Sequence, residues 1–136
     1  RKIVFNHTLG LKTTDIQPSV VTATIQMRDD LVGHYSYHRV HGGVISACID
    51  TIGAAACFVA LGARHLDEPV AKRLERFLKL GTIDLRVDYL RPGLGTHFII
   101  RAEAIRVGSR VGNARIEFTA ADGLLVSTGT GAYIMS

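Results

Sequence analysis

The chain has 136 residues, 47% of them hydrophobic and 21% charged, with a formal net charge of +4. This length suits one domain over residues 1–136, and this balance suits a globular core rather than a disordered or fibrous chain. The basic residues are scattered, with no zinc-finger spacing or RNA-binding aromatic motif, so nucleic acid is not an expected partner.

Residues 7–16 read as a weak strand ended by Pro18, and residues 20–28 as a half-buried strand. In the second, Val21, Ala23, Ile25 and Met27 alternate with Thr22, Thr24, Gln26 and Arg28. Residues 30–40 read as a loop rich in Gly, His and Tyr. Residues 43–61 are apolar nearly all round, which predicts a helix wrapped by other structure, with Gly62 as its stop. Residues 67–80 predict an amphipathic helix capped by Asp67, with Pro69 in its first turn and Val70, Leu74, Phe77 and Leu78 on one face. Lys72, Arg73, Arg76 and Lys79 cover its other side and read as a solvated face. Four strands follow, over 82–90, 96–107, 111–121 and 124–135, with turns at Arg91-Pro92-Gly93, Gly108-Ser109 and Asp122-Gly123. The economical way to bury the apolar helix is to curl this antiparallel sheet around it, an α+β fold.

Cys48 and Cys57 are too few for a disulfide framework and too far apart for a redox C-x-x-C pair. They read as buried, reduced thiols, which suits a cytoplasmic protein. No charge-free apolar run of about eighteen residues is present, so no membrane span is expected.

The chemistry concentrates at His41-Gly42-Gly43 and at Asp50. A carboxylate inside an apolar helix is costly to bury unless it is paired, so its presence asks for a reason. A solvent-facing or backbone-bonded Asp50 is the structural alternative. Glycines at a helix start let a ligand approach the unpaired N–H groups of the first turn, which can stabilise an oxyanion. Gly42 and Asp50 are separated by about 12 Å along one helix. They cannot both touch one carbonyl unless they come from different subunits, so a shared function predicts a homodimer or a dimer of dimers.

The run H-G-G-V-I-S-A-C-I-D-T-I-G at 41–53 and the run T-I-D-L-R-V-D-Y-L-R-P at 82–92 resemble the hot-dog thioesterases. Within them the similarity points to the branch of the phenylacetate-pathway acyl-CoA thioesterase. The resemblance implies a hot-dog fold, a curved antiparallel sheet around a central apolar helix, and hydrolysis of an acyl-coenzyme A thioester. It implies Asp50 as the catalytic acid that directs water or attacks, and Gly42 as the N–H donor that polarises the carbonyl. It gives His41 a role in organising the loop, and Thr82 a role in holding the water. Gly43, Arg91 and Arg110 are expected to contact substrate. Many relatives carry an asparagine where this chain has Tyr35, whose hydroxyl, or His34 or His38, is the candidate replacement. One feature resists: alternation puts Thr82 on the face opposite Ile83 and Leu85, away from the core.

Three other readings compete. His34, His38, His41 and Asp50 are a conceivable zinc set but lack a recognised metal spacing, and no metal or redox cofactor is expected. A hot-dog dehydratase would pair His41 with Asp50 for proton abstraction. A non-catalytic acyl-CoA-sensing module would keep the fold and have no use for Asp50 as a base.

Overall fold

The computed structural model describes residues 3–34 and 36–135. Its elements are α1 (Val4–Leu9), β1 (Lys12–Ile16), β2 (Val20–Gln26), a 3-10 turn (Asp29–Leu31), β3 (Val32–His34), β4 (Tyr37–Val40), α2 (Gly42–Ala63), α3 (Val70–Leu78), β5 (Gly81–Tyr89), β6 (His97–Val107), β7 (Val111–Ala120) and β8 (Leu125–Ile134). Six strands form one sheet in the order β1-β2-β6-β7-β8-β5, every neighbouring pair antiparallel. The 30–40 segment, expected as a loop, closes into the small β3-β4 hairpin instead.

α2 packs across β6, β7, β8, β2 and β5, as expected for a hot-dog core helix. Its buried residues Ile45, Cys48, Ile49, Ile52, Gly53, Ala56, Cys57 and Leu61 recur at three- and four-residue spacing, one face of a helix. Burial of each isoleucine contributes about 1.5–3 kcal/mol. The helix has the length and apolar composition of a membrane span, but this face lies on the sheet. The opposite face, including Ala47, Thr51, Ala54, Ala55, Phe58 and Val59, is only half-buried. The sheet therefore covers one side of α2, and the all-round wrapping expected from its composition is not reached within a single chain.

Close approach explains two glycines. A Cβ at Gly53 of α2 or at Gly131 of β8 would stand 2.3 Å from the Tyr133 hydroxyl oxygen, so both positions admit only a hydrogen there. Cys48 and Cys57 are buried and unbonded, and burial pushes their thiols up to about 12 and about 11. Thiols held protonated in this way are poor nucleophiles.

Two local expectations fail. Residues 4–9 form a helical turn and a half, so the predicted strand over 7–16 shrinks to β1. Gly10 closes α1 with a φ of 77°, and the Arg28 guanidinium donates to the Leu9 carbonyl at 2.7 Å. That long-range cap, from 19 residues away, overrides local strand propensity. At α3 the N-cap position is Pro69, with no side-chain cap, and Asp67 is exposed. Glu68 takes the stabilising role by a two-pronged bond to Arg76, at 2.9 and 2.8 Å. Of the predicted apolar face, Phe77 packs on Phe58, while Val70, Leu74 and Leu78 stay exposed.

Candidate active site

Asp50 sits midway along α2, half-buried, where β5 begins. The Thr82 hydroxyl donates to Asp50 Oδ1 at 2.7 Å. Simple alternation would have turned Thr82 away from the helix. A β-bulge between Thr82 and Asp84 removes the conflict. Ile83 is the extra residue, with no partner on β8, and its side chain is exposed. Thr82 therefore pairs with Tyr133 and shares its face, as Leu85 pairs with Gly131 further along. The Tyr133 hydroxyl, fully buried, donates to the Asp50 carbonyl at 3.1 Å. Burial, and secondarily the Asp50 carboxylate, push the Tyr133 phenol up, so it stays a neutral donor. The Asp50 segment is thus fixed through both side chain and backbone, and Oδ2 is without a hydrogen-bond partner among the described residues.

The second cluster lies at the N-terminus of α2. His41 is the N-cap, and its Nδ1 accepts from Gly43 N–H at 2.7 Å. That bond places the neutral ring's proton on Nε2. The N–H groups of Val44 and Ile45 go to the His41 carbonyl at 3.0 and 3.2 Å. Gly43 is thereby spent on the cap, whereas the Gly42 N–H has no hydrogen-bond partner among the described residues. The Gly42 carbonyl accepts from the Tyr89 hydroxyl at 2.9 Å. This end of α2 faces a concavity of about 480 Å³ lined by Gly33, His34, Tyr37, Arg39, His41 and Gly42.

The remaining predicted residues are dispersed. Arg91 follows β5 at the Tyr89 end, and its guanidinium donates to the Leu125 carbonyl at 2.8 Å. Arg110 lies at the other end of the sheet, before Val111, whose β8 partner Ile134 also pairs with Gly81. Tyr35 lies outside the described residues. Among the described residues no three His, Cys, Asp or Glu side chains converge as a metal-binding set. Sequence reasoning missed Tyr89, Tyr133 and Arg39. Tyr89 shares the face of Leu85 and Val87, and a tyrosine at the end of such a face is the signal that would have found it.

A helix-borne carboxylate held by a hydroxyl can direct water, and an open N–H at a glycine helix start can polarise a carbonyl. The thioesterase superfamily model matches residues 37–127, which include His41, Gly42, Asp50 and Thr82, and the chain belongs to that family. It is 32% identical to a medium/long-chain acyl-CoA thioesterase of Salmonella typhimurium over 131 residues, 96% of this chain and 84% of that protein. The corresponding Escherichia coli K12 enzyme is 30% identical over the same shares. A crystal structure from Shewanella oneidensis, of a protein related to the thioesterase superfamily, superposes with a TM-score of 0.94. It is 35% identical and covers 98% of this chain and 88% of that one.

Proposed function

We propose that this protein hydrolyses a medium- or long-chain acyl-coenzyme A to the free acid and coenzyme A, with each active site built from two copies of the chain. The observation that carries the reading is the Thr82–Asp50 hydrogen bond, formed at a bulge that turns Thr82 toward the helix. The Gly42 N–H donates a hydrogen bond to the thioester oxygen and stabilises the negative charge that develops there. Asp50 takes a proton from water through Oδ2 while Thr82 holds Oδ1. The water oxygen then bonds to the acyl carbon, the C–S bond breaks, and the sulfur takes the proton held on Asp50, so that coenzyme A leaves as its thiol and Asp50 is again a carboxylate. A direct attack by Oδ2, through an anhydride that water later cleaves, uses the same groups. The chain-length class is that of the two medium/long-chain acyl-CoA thioesterases to which this chain is 32% and 30% identical. The test is thiol release from acyl-CoAs of graded length; binding of every member without release of thiol would contradict the reading.

The dimer rests on edge chemistry. Both outer strands of the sheet leave a row of backbone groups unpaired. β1 is short and bulged, which blunts it, but β5 runs nine residues with its outer edge open. Pairing β5 with its copy along its whole length puts the two-fold at Leu85. Asp84 then faces Arg86 of the second copy, opposite charges on both sides of the axis. The same pairing sets Gly81 opposite Tyr89 of the second copy. One end of β5 holds Asp50 through Thr82, and the other holds Gly42 through Tyr89. Antiparallel pairing therefore brings Gly42 of one copy toward Asp50 of the other, as the separation of about 12 Å within one helix requires. The half-buried residues Ala47, Thr51 and Ala55 of α2 gain cover in the same step. Two protonated, buried thiols suit a reducing, cytoplasmic setting.

Thr82→Val is expected to lower kcat about tenfold or more, with KM little changed, because a hydrogen bond to a charged group contributes about 1.5–3 kcal/mol. Thr82→Ser should restore most of the loss. Equal kcat for Thr82→Val and wild type in steady-state assays would remove Thr82 from the mechanism.

A further inference from the structure

We infer that the groove between α2 and α3 receives the distal half of the acyl tail, and that Gly62 and Arg73 mark the far end of the chain it accepts. The inference rests on the hydrolase reading and deepens it. The groove holds about 360 Å³ and is walled by Phe58, Val59 and Gly62 of α2, by Leu66, and by Val70 and Leu74 of α3. Such a volume falls in the range of small-molecule sites. Leu66, Val70 and Leu74 are exposed apolar side chains that a bound aliphatic chain would cover.

Three observations select the acyl tail as occupant. The first is continuity. Asp50, Ala54, Phe58 and Gly62 follow one another at four-residue steps, a row along the helix that drifts about 40° per step. Ala54, the only residue of that row between the carboxylate and the groove, is small. The second is length. Phe58 lies about 12 Å beyond Asp50 and Gly62 about 18 Å, at about 1.5 Å per residue. An extended chain advances about 1.2 Å per bond, so these marks fall about ten and fifteen bonds from the thioester carbonyl. The third is the chemistry at the end. The Phe58 ring of α2 and the Phe77 ring of α3 meet at 4.9 Å. One turn from each ring, Gly62 of α2 and Arg73 of α3 both line the groove. Arg73 lines the groove, and its Nε is buried with no hydrogen-bond partner. An aliphatic chain gains from each methylene it buries up to that point and meets a cation there.

Gly62→Leu tests this cleanly, since a Cβ at Gly62 meets nothing within 4 Å and leucine is a better helix former than glycine. Each buried methylene is equivalent to about a fourfold gain in affinity. The leucine should therefore lower the ratio of kcat/KM for hexadecanoyl-CoA to that for octanoyl-CoA at least about tenfold. Gly62→Ala should lower it less. An unchanged ratio overturns the inference, whether both rates hold or both fall together. A change in sedimentation with an unchanged ratio also overturns it, and assigns the groove to a subunit contact. Calorimetric binding of hexadecanoyl-CoA to Asp50→Asn, with and without Gly62→Leu, separates this inference from the hydrolase reading. Weaker binding in the double variant supports the groove even if wild type hydrolyses nothing, and equal binding overturns the groove even if hydrolysis is robust.

Discussion

Asp50→Asn is expected to lower kcat/KM for acyl-CoA at least about a hundredfold, the usual scale for loss of a general base or nucleophile. The substitution is nearly isosteric. The Asn oxygen still accepts from the Thr82 hydroxyl, and the Tyr133 hydroxyl still finds the residue 50 carbonyl, because that bond is to the backbone. What disappears is the basicity of Oδ2. The effect should therefore fall on kcat, with KM and melting temperature near those of wild type. Stopped assays of thiol release with purified protein read this directly. An active Asp50→Asn enzyme would make Asp50 a structural carboxylate, the alternative its place in an apolar helix allows.

Gly42→Pro should lower kcat about a hundred- to a thousandfold, the range seen when one oxyanion donor is removed. Proline deletes the N–H and adds the three carbons of its ring. Gly42 is the first helical residue, a position that tolerates proline. The preceding His41 already has φ −63° and ψ 138°, the conformation a residue before proline prefers. Gly42→Ala is the companion variant: it keeps the N–H, and its Cβ would lie 3.3 Å from the flexible Tyr89 ring. Alanine should therefore retain most of the activity that proline loses. Equal losses in the two variants would mean that space, rather than the N–H, is what matters at this position.

The large features were legible because they follow from composition and period. An apolar stretch with one carboxylate marks α2 and Asp50 together, and alternation marks the strands of the sheet. The misreadings share a physical cause: each depends on a partner distant in sequence. α1 is capped by Arg28 from 19 residues on, so nothing within residues 4–9 announces it. Thr82 looked misplaced because alternation assumes an unbroken ladder, and the bulge at Ile83 is set by the register with β8. Gly42 and Gly43 look equivalent as donors until the His41 ring takes one of them. Arg91 and Arg110 both suggested ligand contacts, yet they fall at opposite ends of the sheet. Two ends of one sheet become one site only if a second copy is present.

Mixing the two inactive variants tests that requirement most directly. Asp50→Asn and Gly42→Pro protomers, unfolded together and refolded at equal concentration, give dimers of which about half are mixed. Each mixed dimer carries one site with both defects and one with neither, so thiol release should recover to about a quarter of the wild-type rate. No recovery, in a mixture that native mass spectrometry shows to contain mixed dimers, would contradict a site shared between Asp50 of one chain and Gly42 of another.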